Sequence, residues 1–311
     1  MHVVEQGEGP PVILCHGFPE LAYSWRHQLT ALAEAGYRAI APDQRGYGRT
    51  DVPEPVEDYD IEHLTGDLVG LLDELGEERA VFVGHDWGAI VVWQLAVMAP
   101  ERVAGVAALS VPFVPRTPVP PTQLMAAVAG DTLFYIVYFQ EVGPADQELN
   151  REPRATVANM MWAFGGEAPR GTTRRVPRDG SGYLDQFTGP PRMPSWLTQK
   201  DLDVYAGEFG RTGFTGALNW YRNFDRNWEL TERFADARVE VPALYVAGER
   251  DPVLRMTPPA VMDGWLADPR GQLLLPGVGH WTQQEDPEGV NRALLEFLRD
   301  VWPDPVGSGS I

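Results

Sequence analysis

The chain has 311 residues, 44 acidic and 25 basic, and a formal net charge of −19. That balance argues against a nucleic-acid partner, which calls for a basic face, and one lysine, Lys200, makes no polybasic membrane tether. A single cysteine, Cys15, excludes an internal disulfide and a cysteine-cluster metal site.

The opening residues, Met1-His-Val-Val-Glu-Gln, lack the basic-then-apolar order of a signal peptide. No apolar stretch approaches the ~20 residues that span a bilayer. The expected location is therefore cytoplasmic, with no membrane span. From there, short apolar runs alternate with longer amphipathic ones. Strands are predicted at Pro11–Cys15, Tyr37–Pro42, Ala80–Val83 and Val106–Leu109, and helices at Trp25–Ala35, Ile61–Leu75 and Ala89–Ala99. Near-continuous apolar strands separated by helices mark a mostly parallel α/β sheet flanked by helices. The pattern returns with strands at Pro242–Val246 and Gln272–Leu275 and a closing helix at Pro287–Val301. Between about Pro112 and Arg238 no comparable strand occurs, only helical segments rich in aromatics and methionine joined by Pro- and Gly-rich stretches. The expected organisation is an α/β core over 1–113 and 237–303, an inserted helical cap over 114–236, and a flexible tail over 304–311.

The sharpest local signal is Val81-Phe-Val-Gly-His-Asp-Trp-Gly-Ala89. A strand stops at Gly84, a helix is expected just past Gly88, and Asp86 occupies the turn. Gly-x-Asp-x-Gly is a nucleophile elbow with aspartate where serine usually stands. Taken alone it reads equally as an N-cap aspartate after a glycine turn. His16-Gly17-Phe18-Pro19 follows the first core strand, where an oxyanion loop belongs in this architecture. The amides of Phe18 and Trp87 are the expected oxyanion donors.

Six histidines are candidates for the base: His2, His16, His27, His63, His85 and His280. His280 lies in the Gly-rich stretch Gly277-Val-Gly-His-Trp281 after the last strand. Asp251, in Gly248-Glu-Arg-Asp-Pro252, follows the preceding strand and is placed to orient it, with Glu249 as the rival acid. The order Asp86, Asp251, His280 is that of nucleophile, acid and base in this fold. His16 is expected beneath the loop as a structural ring.

A carboxylate nucleophile is anionic at neutral pH, since an ordinary aspartate has a pKa near ~3.9. It can attack a saturated carbon and leave an ester that water, activated by His280, hydrolyses at the protein's own carbonyl. Epoxide opening and halide displacement both fit.

The sequence resembles the α/β-hydrolase-fold epoxide hydrolases of the soluble type. The matching segments are His16–Glu20, Asp43–Gly48, Gly84–Gly88, Tyr138–Gly143, Leu218–Trp228, Gly248–Leu254 and Gly279–Gln283. The resemblance implies conversion of a lipophilic epoxide and water to a vicinal diol through a hydroxyalkyl ester on Asp86. It implies two cap tyrosines, matched by position to Tyr138 and Tyr221, that hold the epoxide oxygen and protonate it. Trp220, Phe18, Trp87 and Pro19 are the expected walls of the substrate site. No cofactor and no metal is expected, and the chain fits a monomer or a homodimer. Family members commonly begin with two antiparallel strands before the His-Gly-x-Pro strand. Here only His2–Gln6 precedes it, so seven strands are expected instead of eight.

Two other functions share these residues. Haloalkane dehalogenases use the same Asp–Asp–His machinery but need halide donors, often an asparagine at the position of Phe18. Fluoroacetate dehalogenases use a cap histidine, and none occurs between Phe113 and Ala235. A non-catalytic ligand-binding protein of this fold would have no need of the whole constellation.

Overall fold

The computed structural model describes residues 1–189 and 191–302. Seven strands form one sheet: β1 (His2–Gln6), β2 (Pro11–Cys15), β3 (Arg38–Asp43), β4 (Ala80–His85), β5 (Val103–Leu109), β6 (Val239–Gly248) and β7 (Leu266–Leu275). Their spatial order is β1-β3-β2-β4-β5-β6-β7. β1 pairs antiparallel with β3, and every other pairing is parallel. The three central strands, β2, β4 and β5, are buried along their whole length, which explains their unbroken apolar runs.

Helices α1 (Arg26–Glu34), α2 (Ile61–Leu75) and α3 (Trp87–Met98) alternate with the first strands. α2 has the predicted bounds: the Asp60 carboxylate caps its start by accepting the His63 amide at 3.0 Å, and Gly76 ends it with φ 71°. α3 is apolar all round and mostly buried, as suits a helix packed against the sheet beneath a site. It starts at Trp87, two residues before the sequence pattern suggested, because the turn spends only Asp86.

Between β5 and β6 lie α4 (Pro121–Ala129), α5 (Tyr135–Tyr138), α6 (Pro144–Asn150), α7 (Pro153–Ala163), α8 (Gln199–Thr212), α9 (Thr215–Arg222) and α10 (Phe224–Leu230). This helical segment, the cap, is tied to the core by polar contacts. Arg226 pairs with Asp60 at 2.9 Å, and the Tyr205 hydroxyl donates to Gln284 at 3.0 Å. α11 (Val253–Met256), α12 (Thr282–Glu285) and α13 (Pro287–Val301) complete the chain, α13 again with the predicted bounds. The expected tail, 304–311, lies outside the described residues.

β7 is longer than its apolar run suggested because it contains Pro269 and Gly271, which read as breakers. A proline is tolerated on an edge strand, where its missing N–H faces no partner. The register shift between Ala243 and Leu244 of β6 takes up the irregularity.

Candidate active site

The residues that follow β2, β4, β5, β6 and β7 converge at the C-terminal edge of the sheet, the usual place for a site in such a sheet. Between β4 and α3 the whole turn is Asp86, with φ 53° and ψ −117°, a region that side-chain-bearing residues seldom occupy. A β-carbon on Gly84 would strike the Gly88 carbonyl, and one on Gly88 would strike the Cys15 carbonyl. The glycines therefore let three backbone segments cross in contact. Gly17 approaches Asp86 just as closely, which lets the Phe18 N–H donate to Asp86 Oδ1 at 2.8 Å. Trp87, the other expected oxyanion residue, opens α3 with its ring buried.

His280 faces this carboxylate from the loop after β7. Its Nε2 lies 3.8 Å from Asp86 Oδ2, and its Nδ1 lies 3.2 and 3.3 Å from the two oxygens of Asp251. Asp251 is buried at the end of β6 and also accepts the Val253 amide at 2.9 Å. Glu249, the rival acid, points outward toward the Gly277 amide at 3.4 Å. Burial alone would lower the His280 pKa, but Asp251 by charge and hydrogen bond, then Asp86 and Glu20, push it up to about 9. Burial raises the Asp251 carboxyl, yet His280, Ser110 and the Val253 amide outweigh it and hold the carboxyl below its ordinary value.

The other buried histidines are committed elsewhere. The Gln44 amide donates to His16 Nε2 at 3.0 Å, so the proton sits on Nδ1, which reaches the Gly17 carbonyl at 3.0 Å. Burial lowers the pKa of this ring, and it props the oxyanion loop. His85 turns away from Asp86: Nδ1 meets Glu20 at 2.6 Å and Nε2 meets the His280 carbonyl at 2.7 Å. Burial opposes ionisation of Glu20, but His85, by charge and hydrogen bond, brings its pKa down to about 2. Gln283 and Gln284 also donate to Glu20, at 3.0 and 2.8 Å.

The two predicted tyrosines separate. Tyr221, on α9, is buried over the elbow with its ring centroid 5.4 Å from Phe18 and 5.2 Å from Trp87. Burial first, then the charge of Asp86, raises its pKa well above 10. Tyr138 does not join it. It is only partly buried, and the carboxylates around it are Glu148, Asp185 and Glu141. One helical turn earlier, Tyr135 takes the place expected of Tyr138. Its ring lies 5.9 Å from Tyr221, and the charges that act on its hydroxyl, after burial itself, are Asp86 and Asp251. Phe139 closes the ring of aromatics, 5.2 Å from Tyr221 and 6.1 Å from Phe18. Trp220 packs behind Trp87 at 5.7 Å and commits its indole N–H to the Arg45 carbonyl at 3.0 Å. It thus braces the cap on the core, while Pro19 is buried beside Phe18 in the oxyanion loop.

Residues 10–287 match the α/β hydrolase fold family. Epoxide hydrolase A of Mycobacterium tuberculosis is 54% identical over 301 residues, which cover 96% of this chain and 94% of that one. The crystal structure of epoxide hydrolase A from Mycobacterium thermoresistibile superposes with a TM-score of 0.91 at 52% identity, over 96% of this chain and 94% of that one. A plant protein, epoxide hydrolase 3 of Siraitia grosvenorii, is 39% identical over 96% of this chain and 94% of its own length. The chain belongs to the epoxide hydrolases of the α/β-hydrolase fold.

Within this epoxide hydrolase, three site residues escaped the sequence reading. Tyr135 lay one turn before the motif that was used. Ser110 was assigned no role in the sequence, yet its hydroxyl is 3.1 Å from His280 Nδ1. It holds φ 72°, with Tyr245 donating to its carbonyl at 2.6 Å. Asp86 and Ser110 are the two non-glycine residues with positive φ among those described, and both touch the site. Glu20 stood in a quoted motif without a role assigned to it. Among the described residues no cluster of His, Cys, Asp and Glu could hold a metal, and no helix is long and apolar enough to cross a membrane.

Proposed function

We propose that this enzyme opens a lipophilic epoxide with Asp86 as the nucleophile, Tyr135 and Tyr221 as acids, and His280 oriented by Asp251 as the base. In the first step a carboxylate oxygen of Asp86 attacks an epoxide carbon and the C–O bond breaks. The departing oxygen takes a proton from one of the two phenols, leaving a hydroxyalkyl ester and a tyrosinate. Both phenols are weaker acids than the His280 imidazolium, so a proton passes downhill from His280 to the tyrosinate. This leaves His280 neutral. The ester has also removed the charge of Asp86, which lowers the His280 pKa further.

In the second step neutral His280 takes a proton from water, whose oxygen adds to Cγ of Asp86. The amides of Phe18 and Trp87 stabilise the oxyanion. Collapse releases the diol, and the imidazolium returns its proton to the leaving oxygen. The observation that carries this reading is the division of Asp86: Oδ1 is held by the Phe18 amide and Oδ2 faces His280, under the buried Tyr221 and the partly buried Tyr135 beside it.

The cap, 114–236, acts in this reading as a unit that supplies the acids and the apolar walls, while the core, 1–113 with 237–303, supplies the nucleophile and base. A cytoplasmic location is part of the same proposal, supported by the one buried, unpaired Cys15. The test supplies an aryl epoxide and a haloalkane to the enzyme in parallel and follows diol and halide separately. Diol without halide is expected. Halide without diol would replace this reading with a dehalogenase.

A further inference from the structure

Three successive amides hold the loop that presents His280. The Gly279 N–H donates to Oε2 of Glu285 at 2.9 Å, the His280 N–H to the Phe164 carbonyl at 2.9 Å, and the Trp281 N–H to Oε1 of Glu285 at 3.0 Å. Oε2 of Glu285 accepts a further amide, that of Gly166 in the cap, at 2.7 Å. One carboxylate therefore grips the main chain on both sides of His280 and fastens the end of α7 to it. The two segments touch backbone to backbone. A β-carbon on Gly279 would run into Gly166 N and the Phe164 carbonyl, and one on Gly166 would run into the Gly277 carbonyl. Burial works to raise the Glu285 pKa and the three amides work against it.

Glu285 reaches neither Asp86 nor the tyrosines, and every group it holds belongs to the His280 loop or to the cap strand lying on it. We propose that Glu285 is a positioning residue for the hydrolysis step, coupling the seating of the cap at Phe164–Gly166 to the placement of the His280 imidazole. This rests on His280 being the base of that step. Freed of Glu285, the loop keeps one of its three amide contacts. A shift of the imidazole by about 1 Å costs roughly a hundredfold in such a step, whereas ring opening uses groups that stay in place.

The test is rapid mixing of the wild type, E285Q, E285A and H280Q with an aryl epoxide. Indole fluorescence follows ester formation and decay, and intact mass gives the fraction of enzyme carrying the ester. Ester formation is expected within about twofold of wild type in both Glu285 variants. Its decay slows by about tenfold or more in E285A. In E285Q, where one accepting oxygen becomes a donor, decay slows by less, and the ester-bearing fraction rises in both. H280Q is expected to form the ester and stall. Wild-type decay in both Glu285 variants, with H280Q stalled, would overturn the clamp and leave the base in place. Normal ester decay in H280Q would overturn the base assignment itself. Formation and decay slowed equally in E285A, with E285Q unchanged in both, would reduce Glu285 to a brace of the fold.

Discussion

Nε2 of His280 lies 3.8 Å from Oδ2 of Asp86, too far for a direct hydrogen bond and close enough for charge to act strongly. With Asp251 at the Nδ1 edge of the ring, 3.2 Å away, the imidazole is held between two carboxylates. A pKa pushed up to about 9 keeps the resting imidazole protonated at neutral pH, and in the proposed mechanism that proton restores the tyrosine.

The same arrangement links folding to pH. The folded His280 pKa, about 9, lies above its ordinary value of 6.5, so the folded protein binds this proton more tightly than the unfolded chain. The stabilisation is complete below pH 6.5 and is lost as pH rises through 9. Melting temperature measured from pH 6 to 10 should fall more steeply in the wild type than in H280Q. Parallel curves would mean that His280 is not the group that titrates.

Tyr135 and Tyr221 should each matter to ring opening, and Tyr138 should not. Removing a positioned general acid typically costs 10²–10⁴-fold. Y135F and Y221F are expected to slow ester formation by about a hundredfold each, and the double variant to abolish it while remaining folded. Y138F should keep nearly the wild-type rate. Stopped-flow fluorescence with the three variants decides the matter, and a slow Y138F beside a fast Y135F would restore the motif-based choice.

If Asp86 is alkylated, the oxygen added to the first diol comes from the protein. A single turnover in heavy-oxygen water should give unlabelled diol and a label on the peptide containing Asp86, read by mass spectrometry. Labelled diol in that first turnover would make water the nucleophile.

Glu20 and His85 form an ion pair with no exposure of either side chain, 2.6 Å apart. Removing one member leaves the other buried without its partner, a loss of about 3–5 kcal/mol. E20A should lower the stability from denaturant titration by about that amount. A change below about 1 kcal/mol would mean that the His280 carbonyl satisfies His85 without Glu20.

The placement of Asp86, His280 and Asp251, the proposed nucleophile, base and acid, was legible because each sits where local geometry restricts the residue types. Asp86 is bracketed by glycines that a backbone crossing requires, and Asp251 and His280 follow strands that announce themselves by apolar runs. The choice between Tyr135 and Tyr138 was not legible. They occupy the two ends of the one-turn helix α5, and residues three apart lie on nearly the same face. Which of them meets Asp86 depends on how α5 docks, a tertiary fact without periodicity. Glu20 and Glu285 were hidden for a related reason: a carboxylate held by amides and glutamines looks, in sequence, like any surface acid. β7 was shortened by its proline and glycine, which an edge strand accommodates.

The crossing of backbones at Gly17, Gly84 and Gly88 separates what this scaffold can vary from what it must keep. There main-chain atoms and the Asp86 side chain pack so closely that no β-carbon fits between them. Among the aromatic side chains above, Phe139 and Tyr183, whose rings lie 5.2 Å apart, are carried on the cap. Substitutions at these two positions can reshape the space offered to an epoxide without moving Asp86. A library built on this protein should place its diversity in the cap and leave those three glycines fixed.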